Sequence, residues 1–425
     1  MAITRRQFIK RSAVAASVSV VMPRILMSSA NAQTGGARKI FVVIQLQGGN
    51  DGLNTLVPYT DARYVSLRPN LSWKEAELKD GAGRPTLING QFGLHPALTE
   101  IKGLYDASKV AIVNGVGYPS PNLSHFLSMD IWHTGNTNGG QGDGWLGKYA
   151  DLALLGKSGL SAVSIGGSLP KSLFGDKVVI PSISSFTNYT YQTDARFPGD
   201  RNNQVNTFNA NSNRAFTDGS FLDAVATTSV DAVAGAAEVQ ASVGTYTSSV
   251  VYPAQNPLAS ALKMAAQLII TIKDANLLYV QLGGFDHHSQ LIGNDESPTN
   301  KLVGQHFTLL SYFSQGVTAF YDDLAEHGLA DKTVIMEWSE FGRRPQENAS
   351  FGTDHGTSSQ MFIIGDPVRG GLYGEQPSLT DLDQAGNLKF KVDFRSVYAT
   401  LLDKWLGVDS RTVLGAQYEN IGFLG

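Results

Sequence analysis

Cysteine is absent from the 425 residues. Its absence excludes disulfide bonds, thiolate nucleophiles and thiolate metal ligands. The sequence also lacks an excess of charge of either sign, with 33 Lys and Arg against 37 Asp and Glu. The basic surface that a phosphate backbone requires is therefore missing, and nucleic acid is not expected as a partner. Any metal ion must be held by oxygen atoms and imidazole nitrogens.

A long apolar run is lacking as well. The N-terminal stretch after the paired Arg5 and Arg6 is rich in Ala, Ser and Val, but Pro23 interrupts it. It is shorter than the ~20 residues that a membrane-spanning helix needs. Together with the small residues "ANA" that follow, the pattern predicts a twin-arginine signal peptide at residues 1–32. We expect the twin-arginine translocase as a partner during export, a periplasmic or extracellular mature chain, and no membrane span after cleavage.

Patterns of buried strands alternate with helical patterns in the rest of the chain. The run "KIFVVIQL" at 39–46 is followed by helical spacing at 95–109 and by "VAIVNGVG" at 110–117. With an apolar fraction of 42%, this alternation predicts an α/β fold with a mostly parallel, doubly wound sheet in a three-layer sandwich. We expect one domain over 38–425 that carries a polar insertion at about 180–256. The insertion is interpreted either as a cap or as a surface excursion without a role.

The same alternation returns in the C-terminal half. Helices are predicted at about 257–273 and 303–327, each ahead of a buried strand. A further strand is predicted at 361–365. The last helix is expected to begin after Asp393 as N-cap and to end at Gly407.

Polar residues cluster where these strands end. The clusters are Asn50 and Asp51 in "QGGNDGLN", Ser124 and His125 in "NLSHF", Asp286, His287 and His288 in "GGFDHHSQ", Glu340 and Arg343 in "SEFGRR", and Asp354 and His355 in "GTDHG". Ligand-binding groups gather beyond the carboxyl ends of parallel strands, so these side chains are expected to meet. Carboxylates and imidazoles favour a divalent metal, with zinc first and calcium, magnesium or manganese as alternatives.

Single clusters also have structural explanations. "GGND" is compatible with a simple turn, Ser124 with a helix N-cap, and Arg343 with an ion pair to Glu347. The runs "DHH" and "TDHG" have few purely structural explanations. The coincidence of five clusters at one sheet edge therefore predicts a functional site.

The order of the motifs, from "QLQGGNDGLN" through "NLSHF" and "GGFDHHSQ" to "GTDHG" and "GGLYG", resembles a known bacterial family. This is the twin-arginine-exported family called domain of unknown function fifteen hundred and one, which is related to the alkaline phosphatase and sulfatase superfamily. The resemblance runs from about residue 38 to the C-terminus. It implies an alkaline-phosphatase-like fold with an inserted cap region, and an exported hydrolase of small phosphate or sulfate esters that uses one or two divalent metals.

The resemblance also implies roles for individual residues. Ser124 is the implied nucleophile, and Arg343 would steady the substrate oxyanion. The implied metal ligands are Asp51, Asp286, His288, Glu340, Asp354 and His355, and the side chains implied to support them are Asn50, His125 and His287.

One departure from the superfamily pattern bears on these roles. Phe341 follows Glu340 where the superfamily usually has a histidine, so one imidazole ligand is missing and Asp354 is a candidate to replace it. The main alternative is a non-catalytic exported binding or scaffold protein with a degenerate metal site. A serine esterase is a third interpretation, but no Gly-Asp-Ser block precedes Asn50.

Overall fold

The computed structural model describes residues 38–190, 193–194, 196–214, 221–293, 297 and 299–425. The predicted signal peptide at 1–32 lies outside the described residues. In the described ranges no helix combines the length and the apolar character that crossing a membrane requires.

The described chain alternates between strands and helices. The strands are β1 (Ile40–Leu46), β2 (Leu56–Val57), β3 (Gly93–Leu94), β4 (Val110–Gly117), β5 (Ala162–Ile165), β6 (Ser182–Ile183), β7 (Leu277–Leu282), β8 (Thr333–Trp338), β9 (Ser359–Ile364), β10 (Gly371–Gly374) and β11 (Val392–Asp393). The α-helices are α1 (Gly52–Thr55), α2 (Ala62–Leu67), α3 (Thr99–Asp106), α4 (His125–Thr134), α5 (Trp145–Ala153), α6 (Arg201–Ser212), α7 (Phe221–Thr245), α8 (Pro257–Thr271), α9 (Gln305–Glu326), α10 (Phe394–Thr400) and α11 (Ser410–Leu414).

All of these strands except β2 and β3 build one large sheet with β1 near its centre, and β2 and β3 form a separate antiparallel pair. The strand order is β10-β4-β9-β8-β1-β7-β5-β6, and β11 also pairs with β4. β9 runs antiparallel to β8 and β4, whereas the other described pairings of this sheet are parallel. The prediction of an α/β fold with a mostly parallel sheet is confirmed.

Both faces of the central strand are covered. Ile40, Val42 and Ile44 point into one apolar cluster, and Phe41 and Val43 point into the other. The first cluster includes side chains of α3, α8 and α9, and the second includes side chains of α4, α5 and α10. Strands that are buried on both faces are apolar without interruption, which explains the continuous run in the sequence. The molecule therefore has the three layers that the sequence predicts.

The direction of β9 determines which loops meet at the working edge of the sheet. The carboxyl ends of β1, β4, β7 and β8 lie at one edge because these strands are parallel. β9 runs the opposite way, so its amino end lies at that edge, where Ser359 pairs with Val116 near the end of β4. The loop before β9 therefore joins the loops after the parallel strands.

Local signals in the sequence match both ends of the last long helical segment. Asp393 caps α10 by accepting a hydrogen bond from the Arg395 N–H at 2.9 Å. A π-helix follows over Leu401–Leu406 and ends at Gly407. The φ of Gly407 is 71°, a backbone conformation that favours glycine. The stretch at about 180–256 contains β6, α6 and α7. Its role as a cap stays a prediction.

A buried acid, Glu337, lies in β8, three residues before Glu340 of the following loop. The Glu337 side chain is fully buried. Its Oε2 accepts a hydrogen bond from the Phe362 N–H at 3.2 Å, while Oε1 has no hydrogen-bond partner among the described residues. Burial raises the pKa of Glu337 to about 8. The folded chain therefore holds this carboxyl in its neutral form at pH 7.

We expect Glu337 to make the folded state less stable as the pH rises. An acid whose pKa is raised from 4.5 to about 8 by folding contributes fully below the lower value, and that contribution is lost as the pH rises through the higher one. Relative to Glu337→Gln, the wild type should lose on the order of 3 kcal/mol of unfolding free energy between pH 5 and pH 8. Urea unfolding of both chains at the two pH values measures this difference. The exposed Glu419→Gln change is the control, and parallel pH profiles for wild type and Glu337→Gln would contradict the prediction.

Candidate metal centre

Three side chains from distant parts of the chain converge at the working edge of the sheet. His125 begins α4, Asp286 follows β7, and His355 lies in the loop before β9. One ligand atom from each residue lies within 4.8 Å of the other two. His355 Nε2 is 3.0 Å from Asp286 Oδ1, and His125 Nε2 is 3.4 Å from Asp286 Oδ2. The three atoms thus surround a common point.

The outer nitrogens of both imidazoles determine where their lone pairs point. His355 Nδ1 donates to the Leu123 carbonyl at 2.8 Å, and His125 Nδ1 is 2.8 Å from Glu340 Oε1. A neutral imidazole that donates from Nδ1 carries a lone pair on Nε2. His125 Nε2 is buried and has no hydrogen-bond partner among the described residues. Metal-binding histidines are typically oriented in this way, with the second nitrogen donating to a carboxylate or a carbonyl.

A third imidazole, that of His288, lies beside this group. Its Nε2 lies 2.9 Å from His355 Nε2 and 3.1 Å from Asp286 Oδ1. Its Nδ1 is 3.3 Å from Asp354 Oδ1. Two nitrogen lone pairs at this separation repel each other unless a proton or a cation lies between them. Three imidazole nitrogens and one carboxylate form a donor set that fits zinc.

Asp286 is held in its anionic form. Its side chain is 47% exposed, and Oδ1 accepts a hydrogen bond from Arg343 at 2.7 Å. Although partial burial opposes the effect, the hydrogen bond and the positive charge of Arg343 lower the pKa of Asp286 below its ordinary value. The carboxylate is therefore available as a ligand near neutral pH.

Arg343 joins the loops that carry the centre. Its guanidinium donates to the carbonyls of Gly48, Gly49, Phe285 and Thr353 in addition to Asp286. The side chain is only 1% exposed. This geometry does not fit the expected contact between Arg343 and a substrate oxyanion, because the donors are already used inside the protein. Arg343 instead positions Asp286 against the loop after β1.

Glycine is required where that loop approaches the centre. The φ angles of Gly48 and Gly49 are 124° and 81°, which other residues rarely adopt. A Cβ atom on Gly48 would lie 2.5 Å from the backbone nitrogen of Asp286. The glycine pair in "QGGND" therefore serves close packing between two loops of the centre.

Asp51 is not part of the group, although the sequence predicts it as a metal ligand. Both of its oxygens accept hydrogen bonds from Arg68, at 2.7 and 2.9 Å. Oδ2 also accepts from the Thr353 hydroxyl at 3.2 Å. Asp51 and Arg68 are both fully buried. A metal ion would have to displace an arginine to reach this carboxylate.

Glu340 and Asp354, which the sequence predicts as direct ligands, each contact the outer nitrogen of an imidazole. Glu340 is fully buried, and Oε1 accepts from the Gly48 N–H at 2.9 Å besides contacting His125. The hydrogen bond between Glu340 and His125 raises the pKa of His125, although burial opposes this effect. Asp354 contacts Nδ1 of His288 on the outer side of the ring. The two carboxylates thus lie behind the imidazoles that they orient.

Two predicted supporting residues lie below the centre. Asn50 Oδ1 is 3.0 Å from His306 Nε2 and accepts from the Thr55 hydroxyl at 3.2 Å. His287 is 2% exposed, and burial lowers its pKa to about 3. Its ring lies 5.7 Å from that of His306, inside the protein. Neither side chain is part of the converging group.

Ser124 lies at the N-cap of α4, directly before His125. It has extended backbone angles, and its side chain makes no capping hydrogen bond. The residue is exposed, and its backbone N–H donates to Asn122 Oδ1 at 2.8 Å. N-capping therefore does not explain why a serine stands at this position, because its hydroxyl does not cap the helix.

Phe341 fills the space between two ligand imidazoles. Its ring centroid is 4.9 Å from that of His125 and 4.7 Å from that of His355. The ring is 1% exposed. The position that the superfamily resemblance assigns to a histidine is therefore occupied by an apolar ring that packs against the ligands.

Two residues lie elsewhere than the sequence predicts. The sequence predicts His125 only as a support for the ligands, because "NLSHF" indicates no more than a polar helix start. Nothing in the sequence distinguishes Arg68, because an arginine in "LRPN" resembles a surface cation. No local signal indicates that Arg68 lies fully buried against Asp51, since that pairing depends on the tertiary fold.

Solved structures with a similar arrangement cover most of the chain at low identity. A protein in the alkaline phosphatase superfamily from Vibrio parahaemolyticus has 13% identity and a TM-score of 0.39, covering 97% of this chain and 77% of that chain. The C-terminal periplasmic domain of EcEptC from Escherichia coli, in complex with Zn, has 10% identity and a TM-score of 0.41, covering 91% and 88%. The lipoteichoic acid synthase LtaP from Listeria monocytogenes has 12% identity and a TM-score of 0.37, covering 96% and 78%.

Comparison with curated protein sequences finds no match. The sequence profile of one family, described as "Protein of unknown function (DUF1501)", matches residues 111–419. That range contains the candidate ligand residues His125, Asp286, His288 and His355, and it confirms the family resemblance seen in the motifs. The chain belongs to the DUF1501 family.

Proposed function

We propose that this protein is an exported, metal-dependent hydrolase of small phosphate or sulfate esters, secreted by the twin-arginine pathway. The observation that carries the proposal is the convergence of His125 and His355 Nε2 on the anionic Asp286, with each Nδ1 anchored from behind. His288 adds a third imidazole. Such a donor set has the chemistry of a zinc centre.

The centre is proposed to hold one metal ion. A second ion near the loop after β1 would need the carboxylate of Asp51, which pairs with Arg68 and Thr353. The guanidinium of Arg68 already neutralises that charge in the interior. A buried carboxylate that is paired in this way is costly to separate from its partner.

The reaction assigns Ser124 as the nucleophile. A bound divalent metal would polarise the ester and neutralise developing charge. The Ser124 hydroxyl gives up its proton to solvent while its oxygen forms a bond to phosphorus or sulfur. The bond to the leaving oxygen breaks in the same step, and the leaving group takes up a proton from water. Water then cleaves the serine ester and restores the hydroxyl. Ser124 is the exposed N-cap residue of α4 and directly precedes the proposed ligand His125 in the chain.

A non-catalytic metal-binding protein is the second candidate. Phe341 favours it, because this apolar ring lies between two ligand imidazoles where a further ligand would be expected. Both candidates require the same metal-binding residues. They differ in whether Ser124 matters for any reaction.

The Ser124→Ala variant separates the two candidates. We expect it to lower kcat for aryl phosphate or aryl sulfate hydrolysis by ~1000-fold or more, because the nucleophile is removed. Its metal content should equal that of the wild type, since Ser124 is not a ligand. The measurement is hydrolysis by the mature chain loaded with zinc, manganese or calcium, alongside elemental analysis. The exposed Ser66→Ala variant is the control.

Absence of turnover by the metal-loaded wild type on both ester classes would remove the hydrolase proposal. Turnover by the Ser124→Ala variant at the wild-type rate would show that Ser124 is not the nucleophile. Metal-activated water would then be the attacking group.

A further inference from the structure

The segment 246–252, which joins α7 to α8, is held to the rest of the chain by the C-terminal end of α9. The segment itself forms no helix or strand. Its Tyr246 and Tyr252 hydroxyls both donate to Oδ2 of Asp323 on α9, at 2.6 and 2.7 Å. Side chains at one helix end therefore fasten the point where the inserted region returns to the core.

His327 follows the last turn of α9 and presents both of its ring nitrogens to carbonyl oxygens. Nδ1 lies 2.8 Å from the Asp323 carbonyl, and Nε2 lies 3.0 Å from the Thr247 carbonyl. A neutral imidazole has a single N–H, so one of its nitrogens would turn a lone pair towards a carbonyl oxygen. Only the protonated ring donates both hydrogen bonds. The geometry therefore favours the imidazolium form.

The carboxylate of Asp323 gives a second reason for a positive charge here. This side chain is 0% exposed, and its Oδ1 lies 3.3 Å from Nδ1 of His327. Among the described residues, His327 is its ion-pair partner. A buried carboxylate is costly without a positive partner, and a cation is also favoured at the C-terminal end of a helix. The imidazolium meets both requirements.

The neighbouring carboxylate on α9 also holds the segment. Glu326 accepts from the N–H of Ser249 at 3.1 Å and from its hydroxyl at 2.9 Å. These hydrogen bonds, with a smaller contribution from the charge of His327, lower the pKa of Glu326. Glu326 is therefore anionic above mildly acidic pH, and its hold on the segment does not change when the pH rises through neutrality.

The remaining ionisable groups around the ring are two phenols and one ammonium group. The Tyr246 ring stacks on His327 with centroids 6.4 Å apart. Burial and the proximity of Asp323 raise the pKa of Tyr246 and of Tyr252, so both hydroxyls stay protonated and donate. On α8, the Lys263 ammonium lies 5.9 Å from the centroid of the Tyr252 ring. Phenols and ammonium groups titrate well above neutral pH, which leaves the imidazole as the group that titrates near pH ~6.5.

We propose that His327 is a pH-dependent clamp that fastens the segment 246–252 to α9. The protonated ring bridges the Thr247 carbonyl and Asp323, and loss of its proton removes one hydrogen bond and the charge beside the buried carboxylate. Because the folded geometry favours the protonated form, the clamp is closed at mildly acidic pH. It loosens as the pH rises through the range in which histidine loses its proton. This inference concerns the anchoring of the inserted region and requires neither a metal ion nor ester hydrolysis.

Native-state hydrogen exchange of the mature chain tests the proposal. Exchange of the 246–252 amides is measured by mass spectrometry between about pH 5.5 and pH 8.5 and corrected for the intrinsic rate. We expect the fraction of open segment to rise by about 10-fold or more over this range, because a hydrogen bond from a charged donor is lost. The rise should not exceed about tenfold per pH unit, since one proton is released. The amides of β1 report global unfolding and provide the reference within the same chain.

Two variants separate the protonation of His327 from its packing. His327→Gln keeps a polar side chain that cannot be charged. At pH 5.5 it should open the segment about 10- to 100-fold more than the wild type, and this opening should no longer depend on pH. Tyr252→Phe is the matched control, because it removes one donor to Asp323 and leaves His327 in place. It should open the segment more at every pH and retain the pH dependence.

A wild-type segment whose opening follows that of β1 at every pH would overturn the proposal, and this measurement needs no variant. The wild-type pH dependence in His327→Gln would overturn it as well. A flat profile in Tyr252→Phe would assign the pH dependence to the tyrosine contacts instead of the imidazole, and would likewise overturn it.

Discussion

Replacing His355 by alanine is expected to weaken divalent metal binding by ~100-fold or more, because it removes a ligand nitrogen from the middle of the group. His355 Nε2 lies within 3.0 Å of Asp286 Oδ1 and 2.9 Å of His288 Nε2. No other described side chain contacts both of these ligand atoms in the same way. Competition between the protein and a chromophoric chelator measures the dissociation constant of the metal for wild type and variant.

A histidine outside the centre provides the matched control for this experiment. His327 contacts the backbone carbonyls of Asp323 and Thr247 near the end of α9. His327→Ala should therefore retain the metal content of the wild type. Wild-type affinity in His355→Ala would show that the converging side chains do not form the metal site, and the proposed hydrolase would lose its main support.

Replacing Arg68 by alanine is expected to lower the free energy of unfolding by about 3–5 kcal/mol, which is the usual cost of removing one partner of a buried ion pair. Arg68 and Asp51 are 0% and 1% exposed, so water does not compensate the isolated carboxylate. The change also removes donors from the carbonyls of Arg344 and Pro345 and from Asn54 Oδ1. Urea unfolding at pH 7 measures the loss.

Arg411→Ala is the control for this prediction. Its partner Asp409 is 46% exposed, and the Arg411 side chain is 64% exposed. Exposed ion pairs contribute ~1 kcal/mol or less. An equal loss of stability in the two variants would show that the Arg68 pair is not the buried electrostatic anchor described above.

The sheet is largely predictable because its strands are buried on both faces. Such strands appear in the sequence as apolar runs. The run "KIFVVIQL" covers β1, which pairs with β7 on one side and with β8 on the other. The direction of β9 is not predictable in this way, because "MFIIG" is apolar whichever way the strand runs. That direction brings His355 to the centre from before its strand instead of after it.

The residue types of the centre are predictable, but their roles depend on tertiary contacts. Asp286, His288 and His355 meet as the sequence suggests. His125 changes from a supporting residue to a converging ligand, because its Nδ1 is held by Glu340, which is 215 residues away. Asp51 leaves the set because Arg68 lies against it. Contacts between residues so far apart in the chain cannot be predicted from the local sequence pattern.

The hydrogen bonds at the Nδ1 atoms of His355 and His125 bear on whether the chain can fold before it binds a metal ion. Leu123 and Glu340 hold the imidazoles of His355 and His125 through contacts that belong to the folded chain itself. Each ring is thus set in the tautomer that accepts an ion before any ion arrives. Under the proposed function, folding and metal loading are therefore expected to be separable steps, and the folded chain is ready to acquire its ion.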